Sequence, residues 1–439
     1  MHRGGTAATQ YDAGDMSETR FWHPFANMTD VRDAEVVIDR AEDVWIWDDA
    51  GTRYLDATAS LWYANVGHGR TEIADAAARQ LRKLDAYATF GELTNEPARE
   101  LAGRLAALAP MDDSTVFFGL GGADAIETAA KLARLYWSAV GKPERVHLIG
   151  RTNAYHGSHG IGTSIGGIPP NKSGYGPLVT TSSIVDWDSA DALENEIETV
   201  GPERVAAFFM EPVIGAGGVL SPPDGYVERV AEICKRNDVL LVADSVICGF
   251  GRLGTWFGIE RWDVTPDLIV FAKGVTSGYL PLGGVVVSGR VSEPFWSGGQ
   301  PFRHGQTYAG HPACCAAGLA NLDIYEREQL IPRGRELERP LLDALLPLGS
   351  SPLVSDVRGG TGFLAAVELA QEVLDASPKA VGLLTASARA HGVIVRPLVK
   401  AVAVSPPLTA DESHIRLIAD ALSAALEELE PSVAAAAAG

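Results

Sequence analysis

The sequence predicts an α/β protein built around a mostly parallel β-sheet. Four short apolar runs, at residues 146–150, 206–210, 240–243 and 268–271, are bounded by polar or glycine residues. Runs that are apolar throughout are typical of strands buried on both faces, as in parallel sheets. Between two of them, residues 226–235 carry apolar side chains at helical spacing. Strand and helix patterns that alternate in this way predict an α/β domain.

The C-terminal part of the chain predicts a second, smaller α+β domain. After about residue 325, helical segments frame candidate strands at residues 362–369 and 393–395. The chain then ends in a helix, where apolar residues recur at helical spacing over residues 415–429. A Thr-Ala-Asp-Glu segment precedes them and fits a capping box, which predicts that the helix is capped by Thr409.

These patterns divide the chain into two predicted domains. Residues 1–70 supply an N-terminal arm and part of the small domain, residues 71–325 form the large domain, and residues 326–439 complete the small domain. The arm is expected in the first 20 residues, which are mostly polar or small. Because no period of 20–50 residues repeats, solenoid and propeller folds are excluded.

Composition excludes several classes of protein. The 439 residues include 36 basic and 56 acidic side chains, a formal net charge of −20, and 46% are hydrophobic. The hydrophobic content is too high for a disordered chain. A protein with so large a negative net charge repels the phosphates of nucleic acids. The apolar runs are too short to span a membrane. We therefore expect a globular protein with no nucleic-acid and no membrane partner.

Cysteine usage and the N-terminus predict a cytoplasmic location. The four cysteines, Cys234, Cys248, Cys314 and Cys315, have no CxxC spacing, so they form neither a disulfide framework nor a zinc site. The first 20 residues lack the apolar segment of a signal peptide. No metal is expected.

Charged residues follow three of the predicted strands. Glu211 and Asp244 come directly after two of them, and Lys273 lies two residues after another. Ligands of parallel sheets bind beyond the carboxyl ends of the strands, so these side chains would meet at one edge. A lysine amine can form a Schiff base with pyridoxal phosphate, and a carboxylate can keep the pyridine nitrogen protonated. From their spacing alone, however, these residues are better interpreted as ordinary charged surface groups at the ends of strands.

A glycine-rich turn adds a third signal. Phe117 and Phe118 are followed by Gly-Leu-Gly-Gly and then by a helical pattern with an apolar face. Backbone N–H groups at the N-terminus of such a helix bind phosphate well. On its own the segment is weak evidence, because plain tight turns are common.

Together these segments resemble the class III aminotransferases, which are enzymes of fold type I that depend on pyridoxal 5'-phosphate. Residues 244–254 read DSVICGFGRLG and are similar to the family's DEVxxGFGRxG. Residues 271–283 read FAKGVTSGYLPLG, which is similar to AKGLTSGYLPLG, and residues 304–312 read HGQTYAGHP, which matches HGxTYxGHP. The motifs occur in the family's order, and the resemblance extends over roughly residues 22–429.

The resemblance implies a role for each matching residue. Lys273 would hold the cofactor and shuttle the proton, and Asp244 would pair with the pyridine nitrogen. The other implied cofactor-binding residues are Val246 and Tyr155 on the two ring faces, Gly122 and Ala123 at the phosphate, Thr307 at the phosphate of a neighbouring subunit, His156 and Glu211. Such a shared site implies a homodimer, with a tetramer as the alternative.

The sequence departs from the family pattern in two places. The family usually has Ser-Gly-Ser or Ser-Gly-Ala at the phosphate turn, whereas this chain has Gly121, Gly122 and Ala123. The lost hydroxyl contacts predict a weaker hold on the cofactor. The residue after the key aspartate is usually glutamate, and here it is Ser245. The missing carboxylate can alter pKa values nearby.

The resemblance also implies a pocket for a hydrophobic amine. Leu61 and Trp62 match the Leu-Trp pair that walls the substrate pocket of ω-amine transaminases, and Phe90 matches an aromatic that reaches across the dimer. Trp62, Phe90 and Tyr155 would then form an apolar box. Without the resemblance, Trp62 and Phe90 would be interpreted as core aromatics.

Arg396 lies where these enzymes place a mobile arginine. A guanidinium binds a carboxylate through two parallel hydrogen bonds, so Arg396 would hold an α-keto acid and swing away for an amine. The implied activity is transfer of an amino group from a hydrophobic amine or ω-amino acid to pyruvate by a ping-pong mechanism, with (S) preference. An aminomutase of the same fold remains an alternative.

Two other patterns favour different functions less strongly. Residues 249–254 spell GxGxxG after a strand, as in dinucleotide-binding oxidoreductases, but the residues that follow include Gly258 and Pro266 and do not predict the required helix. His156 and His159 have HxxH spacing but no HExxH helix, so a satisfied loop histidine is the better interpretation. A non-catalytic protein of the same fold is disfavoured because Lys273, Asp244, Tyr155 and Thr307 are all present.

Overall fold

The computed structural model describes residues 19–438, so the predicted arm lies almost entirely outside the described residues. The strands in chain order are β1 (Ile38–Glu42), β2 (Trp45–Asp48), β3 (Arg53–Asp56), β4 (Thr115–Gly119), β5 (His147–Arg151), β6 (Ser182–Val185), β7 (Val205–Met210), β8 (Leu240–Asp244), β9 (Leu268–Phe271), β10 (Gly283–Val287), β11 (Val354–Arg358), β12 (Ala365–Leu369), β13 (Val393–Ile394), β14 (Arg396–Pro397) and β15 (Ala401–Val404).

The helices are as numerous as the strands in the described chain. They are α1 (Met28–Ala34), α2 (Ala59–Trp62), α3 (Thr71–Lys83), α4 (Glu96–Leu108), α5 (Gly122–Ala139), α6 (Gly160–Ile165), α7 (Ala190–Val200), α8 (Tyr226–Arg236), α9 (Gly289–Trp296), α10 (Pro312–Arg327), α11 (Leu330–Glu336), α12 (Glu338–Leu345), α13 (Gln371–Ala376), α14 (Ala380–Ala390) and α15 (Glu412–Ala438). Short 3-10 helices lie at Pro169–Lys172, Pro202–Arg204, Ile259–Trp262, Lys273–Val275 and Leu346–Ser350.

A seven-stranded sheet forms the centre of the molecule. Its order is β4-β10-β9-β8-β7-β5-β6, and β10 alone is antiparallel to its neighbours. Every residue of β7, β8 and β9 is buried, which explains why these strands are apolar apart from Asp244 at the end of β8. The predicted α/β fold with a mostly parallel sheet is confirmed.

β10 was not predicted as a strand, because it begins with two glycines and has only three apolar residues after them. A Cβ on Gly284 would lie 2.4 Å from the carbonyl oxygen of Phe117 on β4. The close approach of β10 to β4 therefore requires glycine, which weakens the pattern of an otherwise buried strand.

Two apolar layers cover the large sheet. On one face α5 packs side chains such as Ala129 and Trp137 against the strands. On the other face α8 and α10 contribute Val230, Cys315 and Leu322 to a larger core that continues into the C-terminal part of the chain. The helices cover the faces of the sheet, so the connecting loops lie at the carboxyl ends of the strands. Ligands of such sheets bind at these ends.

Two four-stranded sheets are built from the ends of the chain. The first has the order β1-β2-β3-β13, in which Leu55 and Asp56 pair in parallel with Val393 and Ile394. The second has the order β11-β12-β15-β14. N- and C-terminal segments thus share one sheet, as the predicted fold requires, while the boundaries at residues 70 and 325 stay predictions.

The predicted cap of α15 is wrong. The helix begins at Glu412, and Asp411 Oδ1 accepts hydrogen bonds from the N–H groups of Ser413 and His414 at 2.8 and 3.2 Å. The Thr409 hydroxyl is buried and has no hydrogen-bond partner within the described chain. The aspartate is the residue adjacent to the first helical turn, so its carboxylate reaches the free N–H groups.

No helix in residues 19–438 combines the length and the apolar composition that crossing a membrane requires.

Candidate active site

The three charged residues predicted at strand ends lie at the same edge of the large sheet. Asp244 is the last residue of β8, Glu211 follows β7, and Lys273 begins the 3-10 turn after β9. Asp244 and Glu211 are 4% and 3% exposed. Because β7, β8 and β9 are adjacent and parallel, their ends converge, and the charges of both carboxylates act on the Lys273 amine.

Asp244 is held by two hydrogen bonds. His156 Nδ1 lies 2.8 Å from Asp244 Oδ2, and the N–H of Val246 donates to Oδ1 at 3.2 Å. His156 is buried, and its Nε2 has no partner among the described residues. An Nδ1–H tautomer that donates to Asp244 Oδ2 satisfies this geometry, so His156 contacts the site through Asp244.

Glu211 organises the loop that carries Tyr155. Its two carboxylate oxygens accept from the N–H groups of Tyr155 and Gly215 at 3.0 and 2.9 Å. Burial raises the pKa of Glu211. Glu211 thus joins the backbone of the Tyr155 loop to the backbone at Gly215.

Lys273 combines a strained backbone with a perturbed amine. Its φ of 49° is unusual for a residue with a side chain. The carbonyl of the next residue, Gly274, accepts from Asn321 Nδ2 at 2.8 Å and from the Tyr325 hydroxyl at 3.0 Å. Burial lowers the pKa of Lys273 to about 8, against the opposing charges of Asp244 and Glu211. A neutral amine is thus accessible near neutral pH.

Asn321 and Tyr325 are site residues that the sequence analysis does not identify. Both are fully buried on α10, one helical turn apart, and both bond the Gly274 carbonyl. Burial raises the pKa of Tyr325 to about 12, so its hydroxyl stays protonated and can donate. The available signal was a pair of polar residues at i and i+4 on the otherwise apolar, buried face of the helix.

Trp62 lies beside two cationic side chains. The centroid of its ring is 5.7 Å from Lys273 Nζ and 5.8 Å from Arg396 Cζ. Trp62 is 3% exposed, whereas Leu61 is 40% exposed. Tyr155 is near enough for the Arg396 charge to act on it, and burial lowers the pKa of Arg396. Of the predicted substrate residues, Trp62, Tyr155 and Arg396 are thus brought together.

The glycine-rich turn begins α5, as predicted. Gly121 is the residue before α5, and no side chain caps the helix there. The first backbone N–H groups of α5 therefore have no hydrogen bond from a capping side chain. A Cβ on Gly122 would lie 3.0 Å from Val246, and one on Gly157 would lie 2.7 Å from Ala123. The phosphate turn, Val246 and the loop after Tyr155 therefore adjoin one another.

This arrangement fits pyridoxal 5'-phosphate. A lysine with a lowered pKa, a buried aspartate and a helix N-terminus are the groups that such a cofactor requires for its aldehyde, its pyridine nitrogen and its phosphate. Val246 lies between the aspartate and the phosphate turn, where an apolar group can cover the ring.

Phe90 and Thr307 lie elsewhere on the chain surface. Phe90 is 58% exposed and lines a cavity of about 950 Å³ with Phe117 and His304, and neither Trp62 nor Lys273 borders that cavity. Thr307 is exposed in the adjoining loop. One chain therefore does not bring these two residues to Lys273.

The family profile described as aminotransferase class-III matches residues 28–426. The chain belongs to the class III aminotransferases. Pyridoxal 5'-phosphate is accordingly its cofactor, and the chain is an enzyme.

Curated relatives agree with this membership. The putrescine–pyruvate aminotransferase of Pseudomonas aeruginosa is 41% identical over 405 residues, which cover 86% of this chain and 88% of that protein. The β-alanine–pyruvate aminotransferase of the same organism is 37% identical over 372 residues, with coverage of 80% and 82%.

Solved structures that are similar to this class III aminotransferase include ω-transaminases. A thermostable (S)-enantioselective ω-transaminase from Thermomicrobium roseum has a TM-score of 0.89 and 39% identity, covering 93% of this chain and 96% of that one. An amine transaminase from an uncultivated Pseudomonas species, in its PLP-bound form, has a TM-score of 0.90 and 37% identity, covering 94% and 99%. These similarities confirm fold type I.

The structure disfavours the two other interpretations of motifs in this aminotransferase. Residues 249–254 form turns, and no helix begins at these glycines. His156 is bonded to Asp244, while His159 is exposed at the start of α6. Within residues 19–438, no cluster of three histidine, cysteine or acidic side chains is arranged to hold a metal ion.

Proposed function

We propose that this class III aminotransferase transfers an amino group from a hydrophobic amine or ω-amino acid to pyruvate by a ping-pong mechanism. The observation that carries the proposal is that the Trp62 ring lies close to both Lys273 Nζ and Arg396 Cζ, with its centroid 5.7 and 5.8 Å away. An amine, an apolar wall and a guanidinium then share one pocket. The relatives named as pyruvate aminotransferases support pyruvate as the acceptor.

The cofactor would be held by residues from several loops. Lys273 would bind it covalently, Asp244 would pair with its pyridine nitrogen, and the N–H groups of Gly122 and Ala123 would bind its phosphate. Val246 and Tyr155 would cover its ring. When bound, the cofactor supplies an electron sink for the carbon that loses its proton.

Lys273 would also move the proton. With a pKa of about 8, its amine is partly neutral at physiological pH and can accept a proton. Its Nζ would take the proton from the substrate carbon that bears nitrogen and return it later. His156 would orient Asp244, and Glu211 would fix the backbone of Tyr155.

Arg396 would select the acceptor. Its Nε has no hydrogen-bond partner within residues 19–438, and its guanidinium is only partly accessible, so a carboxylate is a suitable ligand. In the amine half-reaction the same space, walled by Trp62 and Tyr155, would receive an apolar substituent. Preference for the (S) enantiomer is supported by the Thermomicrobium roseum enzyme.

A homodimer would complete the site. Phe90 and Thr307 are exposed and lie apart from Lys273 in their own chain, so each is available to the site of a second copy. Phe90 would then extend the apolar wall, and the Thr307 hydroxyl would bind phosphate. A tetramer is the alternative assembly, and the cytoplasmic location stays a prediction.

The first test is a visible absorption spectrum of the purified protein. Excess (S)-1-phenylethylamine without keto acid should bleach the absorption of the bound cofactor and release acetophenone, and pyruvate should restore it and yield alanine. Unchanged absorption with this amine and with β-alanine would contradict the proposed donors. Bleaching without any released ketone or aldehyde would favour the aminomutase instead.

A further inference from the structure

The segment that carries Trp62 has a strained backbone. Ala59, Ser60 and Trp62 have φ values of 45°, 59° and 58°. Within α2, Leu61 also departs from helical dihedral angles. Side chains disfavour positive φ, and such conformations persist only where the surrounding structure imposes them. The contacts around α2 therefore indicate what holds Trp62 in place.

The carboxylate of Asp56 is the central contact of this segment. Asp56 ends β3 and is 1% exposed. Its Oδ2 accepts from the Ser60 N–H at 2.6 Å, and its Oδ1 accepts from the Thr58 N–H at 3.1 Å. The Thr58 hydroxyl lies 2.9 Å from the same Oδ1. One buried carboxylate thus bonds the N–H groups on both sides of Ala59, where the strain begins.

His68 ties this carboxylate to a second part of the fold. Its Nε2 lies 2.8 Å from Asp56 Oδ2. The backbone of His68 exchanges two hydrogen bonds with Asp43, at 2.9 and 3.0 Å, in the turn between β1 and β2. The His68 side chain is 18% exposed, so it can be replaced with little disturbance of the core.

The strained segment determines where the indole lies. The backbone N–H of Trp62 donates to the backbone carbonyl of Thr58 at 2.9 Å, so both ends of the segment are hydrogen-bonded. The neighbouring Tyr63 packs so closely on Gly278 that a Cβ there would lie 2.2 Å from its ring. Any movement of α2 therefore changes the spacing between the Trp62 ring and Lys273, which is now 5.7 Å.

We propose that Asp56 and His68 are positioning residues that act through the strained turn to fix the Trp62 ring beside Lys273, and so set how well aromatic amines are accepted. The inference rests on the proposed function, because Trp62 matters most for a donor with an apolar substituent. Alanine has only a methyl group to place against the indole, so its turnover depends less on the position of Trp62.

The test compares donors in the holoenzyme. His68→Ala should lower kcat/KM for (S)-1-phenylethylamine about tenfold or more, with a change for alanine of less than about threefold. His68→Gln keeps an N–H donor and should recover most of the loss. Asp56→Asn, which keeps one acceptor oxygen, should show the same selective loss.

The matched control is His391→Ala. It also removes a contact between a histidine and a carboxylate, because His391 Nε2 lies 3.1 Å from Glu428 in an exposed position.

Repeating the His68→Ala substitution in a Trp62→Ala enzyme shows whether the loss of activity toward the aromatic amine depends on Trp62. In Trp62→Ala enzyme, adding His68→Ala should cause no further selective loss, because the ring that it positions is absent. An equal loss in both backgrounds, or an equal loss for both donors, would overturn the proposal.

A spectroscopic measurement separates this proposal from the proposed function. We would record the near-ultraviolet circular dichroism of each variant and of the same variant with Trp62→Phe added. The difference between the two spectra isolates the signal of Trp62, and no substrate is needed. His68→Ala should diminish that signal and His391→Ala should keep it. If the signal changes as expected while wild type fails to use any amine, only the proposed function fails. An unchanged signal in His68→Ala overturns the positioning role, whatever the substrate is.

Discussion

At the scale of single residues, the amine of Lys273 depends most on its surroundings. Burial lowers its pKa to about 8, and only the neutral amine attacks an aldehyde. The rate constant for capture of pyridoxal 5'-phosphate by the apoprotein should therefore rise about tenfold per pH unit below pH 8 and level off above it. Stopped-flow absorbance measures this rate. A rate that still rises steeply at pH 10 would indicate an ordinary lysine.

Arg396 is the residue expected to separate the two half-reactions. Arg396→Ala should raise KM for pyruvate about 10- to 100-fold, because the carboxylate loses its charged hydrogen bonds. The bleaching rate with (S)-1-phenylethylamine should stay within about threefold of wild type, since that amine has no carboxylate. Steady-state and single-turnover kinetics give the two values.

The control for this prediction is Arg396→Lys, which keeps the charge but not the two parallel hydrogen bonds. It should recover only part of the pyruvate affinity. Equal losses for pyruvate and the amine in Arg396→Ala would contradict the assigned role.

At the scale of elements, the N-terminus of α5 is the critical feature for cofactor affinity. A Cβ on Gly122 would lie 3.0 Å from Val246, so Gly122→Ala must displace a residue expected to cover the cofactor ring. We expect the dissociation constant of pyridoxal 5'-phosphate to rise about tenfold. Equilibrium dialysis of the apoprotein measures it.

Gly103→Ala is the matched control, because Gly103 lies inside α4 and a Cβ there meets nothing within 4 Å. This variant should bind the cofactor like wild type and gain about 0.5–1 kcal/mol of helix stability. If Gly122→Ala also binds like wild type, the contact with Val246 does not support the cofactor site.

At the scale of the whole molecule, Arg252 joins segments that are distant in sequence. It is fully buried, and its guanidinium donates to the carbonyls of Phe363 and Pro406 and to Asn65 Oδ1, each at 2.8 Å. Arg252→Leu leaves these acceptors unpaired and should lower the free energy of unfolding by about 3 kcal/mol or more. Urea unfolding of the holoenzyme tests this value.

The control for Arg252 is Arg339→Leu, which removes an exposed i,i+4 ion pair with Asp343. It should change the free energy of unfolding by less than about 0.5 kcal/mol. Equal effects of the two substitutions would mean that Arg252 does not connect the segments energetically.

How much of the site could be predicted depended on the range of the interactions involved. Asp244, Glu211 and Lys273 were predicted to meet because strand ends are visible as local patterns, and adjacent strands place them at one edge. The capping of α15 by Asp411 was missed, because two residues in one short segment competed for the same N–H groups. Asn321 and Tyr325 were missed because only the packing of α10 shows which carbonyl they reach.

The sequence by itself determined the fold class, the family resemblance and the chemical groups at the strand ends. The fold class and the groups at the strand ends follow from periodicity and composition, and the resemblance follows from motifs in a known order, so each is visible in short stretches of the chain. Only the tertiary structure decided that Trp62 lies beside both Lys273 and Arg396, that burial lowers the pKa of Lys273, and that Asp56 and His68 hydrogen-bond to a strained turn and to each other. Desolvation, distance and strain depend on which remote segments pack together, and no local pattern specifies that.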